Sequence, residues 1–281
     1  NQNFVINSTV VNSNDFRNSM FASLKVKDAI ADYFRDNFGK RPNVDVENPD
    51  IIINVHIHKD HCTLSLDSSG ESLHKRGYRV KQGEAPLSEV LAAGMILLSG
   101  WTGQSDFLDP MCGSGTLPIE AAMIAQNMPA GKFRKNYAFE NWPDFDQILF
   151  DEVKRSTTKK EFNHKIFASD ISGSNLLNAQ TNARRALVFN KIQFQKSDFR
   201  DLKITIANAT IIINPPYGER LKEENLNDLY EMIGTSLKHN FTNNNAWILT
   251  SSLNHLQFIG LKPTNKYELF NGALKCRYNN Y

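Results

Sequence analysis

The sequence predicts an α/β fold in which a doubly wound, mainly parallel sheet follows a smaller α+β domain. From residue 86 onward, short apolar strands alternate with helical segments, which is the pattern of consecutive βαβ units. Residues 4–66 instead contain three β-type segments around one long helix. The chain has 281 residues, of which 41% are hydrophobic, so each domain can bury its own core.

The smaller domain, which we place at residues 1–83, begins with a strand and a helix. Phe4–Val11 is rich in β-branched residues, and apolar residues recur at helical spacing through Asp15–Phe38. Ile51–Ile57 alternates apolar and polar residues as a half-buried strand does, and Thr63–Leu66 predicts a further strand.

The larger domain, which we place at residues 84–281, alternates helices with strands. The predicted helices are Ser88–Leu98, Leu117–Ala125, Asn175–Leu187 and Asn227–Phe241. The predicted strands are Asp106–Leu108, Lys165–Ala168, Ile192–Gln195, Ala209–Ile213 and Ala246–Leu249, with a final β-rich stretch at Lys266–Tyr278. Asn127–His164 interrupts the alternation with aromatic and basic residues, and we interpret it as an insertion.

Composition narrows the class of protein. The longest apolar run, Val90–Leu98, is far shorter than the ~20 residues that a membrane-spanning helix needs. The three cysteines are widely separated, which argues for a reducing compartment, the cytoplasm, and against a disulfide framework or a zinc site. His56 and His58 alternate outward on a strand without acidic or thiol partners, so no metal site is predicted. The net charge of +2 favours no partner, and nucleic-acid binding would need local basic patches.

A glycine-rich loop, Asp109-Pro-Met-Cys-Gly-Ser-Gly-Thr116, follows the first strand of the larger domain. Gly113 and Gly115 allow a tight turn and a close approach to a ligand, and the next helix offers N–H groups to an anion. Pro118 replaces the third glycine of a dinucleotide site, and the lysine of a phosphate-binding P-loop is missing. The loop suits a ligand with an amine and a carboxylate, such as the methionine part of S-adenosylmethionine. An ordinary tight turn is the alternative.

Two further acidic residues follow predicted strands, at the sheet edge where α/β proteins bind ligands. Asp170 can accept hydrogen bonds from a ribose diol, although capping of the next helix is an alternative role. Asp198 can accept one from an adenine amino group, with Phe199 beside the ring.

The most specific motif is Asn214-Pro-Pro-Tyr217, directly after an apolar strand. Two consecutive prolines fix the backbone, so the Pro215 carbonyl is predicted to point outward beside the Asn214 side-chain oxygen. Two acceptors match the two hydrogens of an exocyclic amine, and holding both favours a pyramidal nitrogen whose lone pair faces a methyl donor. Tyr217 offers a face for base stacking. The alternative is a rigid turn at a strand end.

Together, Asp109–Thr116 and Asn214–Tyr217 resemble the DPxCGSGT and NPPY signatures of class I amino-methyltransferases. Asn214–Arg220, Leu73–Arg79 and Ala85–Leu87 narrow the resemblance to bacterial THUMP-domain RNA methyltransferases of the large-subunit ribosomal RNA guanine 2-amino type. The resemblance spans nearly the whole chain and implies a seven-stranded methyltransferase sheet after a THUMP-type RNA-binding domain. The family carries an insertion where this chain does. It usually has a ferredoxin-like segment before THUMP, and none is visible here.

The resemblance also implies functional residues. Those implied for S-adenosylmethionine are Pro86, Leu87, Asp109, Cys112, Gly113, Ser114, Gly115, Asp170, Ile171, Asp198 and Phe199. Those implied for the target base are Asn214, Pro215, Pro216 and Tyr217. We expect basic and aromatic residues to contact RNA, with a solvated linker as the alternative for the first five: Lys75, Arg76, Tyr78, Arg79, Lys81, Arg134 and Lys135.

The predicted reaction is in-line methyl transfer from sulfur to nitrogen, without a metal or a covalent enzyme intermediate. Cys112 lies in the cofactor loop rather than the base loop, which disfavours it as a nucleophile. The target base must be single-stranded or flipped out of a duplex. The adenine 6-amino group of DNA or RNA remains an alternative, because the same motif serves either amine. A non-catalytic RNA-binding factor is a second alternative, and NAD-dependent oxidoreduction a third.

Overall fold

The computed structural model describes residues 2–80, 87–216 and 223–281. The chain forms two compact units. The first unit combines residues 1–73 with residues 134–156, and the second combines residues 74–133 with residues 157–281. The centre of the predicted insertion therefore belongs to the same unit as the N-terminal residues.

The first unit contains a three-stranded sheet covered by a helix. Its elements are β1 (Phe4–Val11), α1 (Ser19–Phe38), β2 (Ile51–His58) and β3 (His61–Leu66). β1 and β2 pair in parallel with α1 as their crossover, and β3 pairs antiparallel to β2. α1 begins at Ser19 rather than at the predicted Asp15, because the Asn18 side chain accepts a 2.8 Å hydrogen bond from the Met20 N–H and caps the helix there.

The insertion adds an aromatic cluster and a helix, α4 (Gln147–Ser156), to the first unit. The rings of Tyr137, Phe139 and Phe150 contact one another at centroid distances of 5.2–6.2 Å. The Phe139 N–H donates to the Ser68 carbonyl. The sequence did not predict α4, whose side chains are all at least partly exposed.

The second unit alternates helices and strands, as predicted. Its helices are α2 (Glu89–Leu98), α3 (Thr116–Ala125), α5 (Gly173–Arg185) and α6 (Glu223–His239). Its strands are β4 (Phe107–Asp109), β5 (Ile166–Asp170), β6 (Ile192–Lys196), β7 (Thr210–Ile213), β8 (Asn245–Thr250), β9 (Asn265–Asn271) and β10 (Leu274–Asn280).

These strands form one seven-stranded sheet in the order β6-β5-β4-β7-β8-β10-β9, which confirms the predicted fold class. β4 lies between β5 and β7 and is parallel to both, with Leu108 opposite Phe167 and Ile211. The predicted β-rich stretch is the antiparallel hairpin of β9 and β10. The chain moves outward from β4 to β6 and then crosses back to β7, so the strand order reverses between β4 and β7. In open α/β sheets, ligands bind at this reversal, outside the carboxyl ends of the strands.

Buried side chains cover both faces of the sheet. Phe107 and Ile212 belong to one hydrophobic cluster, whereas Leu108 and Ile211 belong to the other. This alternation is what a sheet with helices on both faces requires, and it fixes where each strand ends. In the part of the chain that the structure describes, no helix has the length and apolar character to cross a bilayer.

Candidate functional site

The glycine loop begins where β4 ends and turns through two glycines with left-handed backbones. Gly113 has a φ of 53° and Gly115 a φ of 84°. A Cβ on Gly115 would lie 2.9 Å from the Cβ of Ala179, so this glycine lets the loop pack against α5. A Cβ on Gly113 would meet nothing within 4 Å. Gly115 therefore serves packing, whereas Gly113 borders open space that a ligand can occupy.

Hydrogen bonds from β5 and α5 fix the loop. The Gly113 N–H donates to Asp170 Oδ2 at 2.8 Å, and the Cys112 N–H donates to the Ser169 carbonyl at 2.8 Å. From α5, Asn182 Nδ2 donates to the Ser114 carbonyl at 3.0 Å. The structure thus brings the predicted loop residues and Asp170 together at one sheet edge.

Asp170 is 7% exposed and has acceptor capacity left. Its Oδ1 accepts from the Ser172 N–H at 2.8 Å and from Asn175 Nδ2 at 3.3 Å. With the bond from Gly113, these use three of the roughly four acceptor positions of a carboxylate. The alternative role, capping of α5, belongs to Ser172 instead. Ile171, next in the chain, is exposed.

The side chains of Asp109 and Cys112 in the glycine loop are buried. Asp109 is 1% exposed and accepts from the Met111 N–H, and burial raises its pKa well above the usual range. Burial likewise raises the pKa of the Cys112 thiol, and the nearby Asp109 and Asp170 charges add to this effect. Cys112 is therefore a protonated thiol rather than a nucleophile. Within the described ranges, no group of His, Cys, Asp or Glu side chains is arranged to hold a metal ion.

At the end of β7, the side chain of Asn214 presents a buried hydrogen-bond acceptor. Its Oδ1 is buried and receives no hydrogen bond from the residues that the structure describes. An unsatisfied buried acceptor costs about 1–3 kcal/mol, so this position favours a hydrogen-bond donor. Pro215 is buried and Pro216 half-buried. Because β7 adjoins β4, this acceptor lies on the edge of the sheet that carries the glycine loop.

The other predicted site residues differ in their surroundings. Phe199 is 1% exposed and stacks on Phe241 at a centroid distance of 5.2 Å, so its ring belongs to the hydrophobic core. Asp198 Oδ1 accepts from the Arg200 N–H and caps a short 3-10 helix. Lys81, Pro86 and Tyr217 lie outside the described residues, whereas Leu87 is buried.

Of the residues that we expected to contact RNA, Arg76 and Tyr78 are buried in the second unit and Arg79 is largely covered. Tyr78 is 1% exposed and donates to Glu120 Oε1 at 3.0 Å. Arg76 forms a 3.6 Å ion pair with Glu120, and Arg79 forms a 3.0 Å ion pair with Glu89. These three side chains are therefore not part of an exposed surface. The sequence did contain a signal for this burial, which the prediction missed: Glu89 and Glu120 are isolated acidic residues within otherwise apolar helices.

Arg134, which we also expected to contact RNA, forms hydrogen bonds within the first unit. Its guanidinium donates to the carbonyls of Ser69, Glu71 and Ser72 at 2.7–3.1 Å and lies over the Tyr137 ring. Lys75 and Lys135 are exposed.

The buried Glu120 predicts a pH-dependent stability. Burial, only partly offset by Arg76, raises its pKa from 4.5 to about 7. The folded state binds the Glu120 proton more tightly than the unfolded state. The protonated carboxyl therefore contributes fully to the free energy of unfolding below pH 4.5, and this contribution is lost as the pH rises to about 7. Glu120→Gln cannot ionise, so between pH 4.5 and pH 8 wild type should lose up to about 3 kcal/mol more unfolding free energy than the variant.

Urea denaturation of both proteins across this range measures the difference. Glu268→Gln, at an exposed carboxylate paired with Lys275, is the matched control. Parallel pH profiles for wild type and Glu120→Gln would contradict the assignment.

Comparisons with known proteins identify two consecutive domains along the chain. Residues 76–280 match the family described as "RMKL-like, methyltransferase domain", and residues 1–67 match the THUMP domain. A candidate RNA methyltransferase of Synechocystis is 39% identical, with 100% of this chain matching 74% of that protein. The ribosomal RNA large subunit methyltransferase K/L of Vibrio parahaemolyticus is 42% identical, but the match covers 95% of this chain and only 39% of that enzyme.

A solved structure agrees with these matches. SMU.472, a candidate methyltransferase crystallised with SAH, superimposes with a TM-score of 0.90 at 31% identity, over 100% of this chain and 74% of that one. The family resemblance predicted from the motifs is confirmed. This chain belongs to the RMKL-like methyltransferase family and carries a THUMP domain before its methyltransferase domain.

Proposed function

We propose that this methyltransferase modifies an exocyclic amino group of an RNA base, namely the guanine 2-amino group in large-subunit ribosomal RNA. The observation that carries the proposal is the buried Asn214 Oδ1 at the end of β7, which has no hydrogen-bond partner in the described ranges. It lies at the strand-order reversal beside the glycine loop. An acceptor that the described residues leave unsatisfied matches an amine that must donate hydrogen bonds during the reaction.

The chain uses S-adenosylmethionine as its methyl donor, in line with its family, and its residues fit that cofactor. Gly113 borders open space, and Asp170 retains acceptor capacity for the ribose hydroxyls. The Gly113–Asp170 hydrogen bond ties these two parts of the site together. When bound, S-adenosylmethionine supplies an electrophilic methyl group on a sulfonium.

Asn214 and the Pro215 carbonyl then act on the amine. Such an amine is a poor nucleophile, because its lone pair is delocalised into the ring. Accepting a hydrogen bond from each of its two N–H groups favours a pyramidal nitrogen with a localised lone pair. Tyr217 is the residue that the sequence predicts to stack on the base. Catalysis comes from positioning and from exclusion of water, so neither a metal nor a covalent intermediate enters the scheme.

RNA is the proposed substrate because a THUMP domain precedes the methyltransferase domain and because the Vibrio relative is named a ribosomal RNA enzyme. Lys75 and Lys135 are exposed and remain proposed RNA contacts. Arg76, Tyr78 and Arg79 are left out, since their side chains are buried against acidic partners. The choice of guanine rests on the motif resemblance.

Mass spectrometry of nucleosides tests the proposal. The purified chain is incubated with deuterated-methyl S-adenosylmethionine and ribosomal RNA from a strain that lacks the homologous gene, and the RNA is digested. We expect labelled N2-methylguanosine. Labelled N6-methyladenosine would overturn the guanine assignment, and label in no base would overturn the function. An Asn214→Ala sample controls for contaminating methyltransferases.

A further inference from the structure

The guanidinium of Arg79 is buried, and the residues that the structure describes provide acceptors for only three of its five N–H donors. Its side chain is only 10% exposed. Nε donates to Glu89 Oε1 at 3.0 Å, and Nη2 donates to the Leu87 carbonyl at 3.0 Å and to Thr116 Oγ1 at 2.9 Å. A guanidinium has five N–H donors, so these bonds leave both hydrogens of Nη1. Nη1 is buried and has no partner among the described residues.

The guanidinium contacts the start of α3, immediately after the glycine loop. Thr116 is the first residue of α3, and its N-cap, Gly115, has no side chain that could accept from the helix N–H groups. The positive end of a ten-residue helix and a buried cation therefore meet at one point. Both features favour a negatively charged group there.

The backbone around Arg79 is fixed to the same loop. The N–H of Val80 donates to Asn182 Oδ1 at 3.1 Å, and Asn182 Nδ2 donates to the Ser114 carbonyl at 3.0 Å. One amide side chain thus joins the Arg79 segment to the glycine loop. The guanidinium is held rigidly, so a ligand would meet donors that are already oriented.

We propose that Arg79 Nη1 binds the carboxylate at the amino-acid end of S-adenosylmethionine. This inference rests on the proposed function, because it assigns a subsite within the proposed cofactor site. A carboxylate fits better than an RNA phosphate, since the side chain is buried between the glycine loop and Leu87 rather than on an exposed surface. Binding would satisfy the two N–H donors for which the described part of the chain offers no acceptor.

The test compares two ligands that differ only in this carboxylate. Titration calorimetry without RNA measures the affinity of the full chain for S-adenosylmethionine and for decarboxylated S-adenosylmethionine. Wild type should prefer the carboxylated ligand by about 30-fold, the size expected for a charge-assisted hydrogen bond in a buried site. In Arg79→Met this preference should fall to within about twofold, because the cation that recognises the carboxylate is gone.

Arg185→Met is the matched control, because Arg185 donates to the Gly77 carbonyl at 3.4 Å and supports the same segment from an exposed position. This control should keep the wild-type preference. If Arg79→Met does not fold, owing to an unpaired Glu89, the double variant Arg79→Met, Glu89→Met removes that carboxylate as well.

An unchanged preference in the Arg79 variant would overturn the inference, as would an equal loss of affinity for both ligands, which would mean that Arg79 only supports the loop. Failure of wild type to bind either ligand would instead overturn the proposed function.

Discussion

Replacing Asn214 with alanine is expected to lower kcat by about 100-fold or more, the range seen when one polar group that acts on the reacting atoms is removed. Asn214 Oδ1 is already buried without a partner among the described residues, so the chain itself loses no hydrogen bond from that oxygen. Affinity for S-adenosylhomocysteine should stay within about twofold of wild type, because the proposed cofactor contacts lie on other strand ends.

Single-turnover methyl transfer and calorimetric titration of S-adenosylhomocysteine measure these two quantities separately. Asn254→Ala removes an exposed amide from the segment that follows β8 and should leave both unchanged. Normal turnover by Asn214→Ala would show that the mechanism assigned to this side chain is wrong.

Replacing Asp170 with alanine should have the largest effect on cofactor binding. The variant loses the proposed acceptor for the ribose hydroxyls and also the partner of the Gly113 N–H, which holds the glycine loop at 2.8 Å. Two charge-assisted hydrogen bonds are lost together, so we expect affinity for S-adenosylhomocysteine to fall by about 100-fold or more.

The control separates ligand contact from local folding. Ser172→Ala removes the side-chain cap of α5, at a cost of about 1 kcal/mol in stability, but leaves the Asp170 carboxylate in place. Ser172→Ala should therefore lower the melting temperature with little change in affinity. Equal losses of affinity in both variants would indicate that Asp170 acts only by stabilising this strand end.

The sequence predicted the sheet well, because its determinants are local. β7 is a short, mainly apolar run followed by Asn214 and two prolines, and the glycine loop and Asp170 likewise lie at the ends of strands that the sequence predicts. The strand order then places Asp170, the glycine loop and Asn214 at one edge.

What the sequence could not show are pairings between distant residues. A cluster of basic and aromatic residues is typical of an RNA-contact surface. In the second unit, however, Arg76 and Tyr78 pair with Glu120, and Arg79 pairs with Glu89. Such partners lie in other helices, and charge patterns along the chain do not reveal them.

The aromatic residue after β6 shows the same limit. Phe199 follows an acidic residue at a strand end, which suggests adenine binding, but its ring packs against Phe241. The backbone geometry decides whether an aromatic side chain after a strand faces a ligand or the hydrophobic core, and secondary-structure propensity does not determine that geometry.

A crystal structure of this chain with sinefungin tests the central claim most directly, because that analogue carries an amine where the sulfonium methyl would be. The account predicts that Asn214 Oδ1 faces this amine across the gap that the target nitrogen would occupy, with Asp170 at the ribose. If Asn214 Oδ1 instead pointed away and accepted a hydrogen bond from within the protein, the proposed hydrogen bond to the substrate amine would be contradicted.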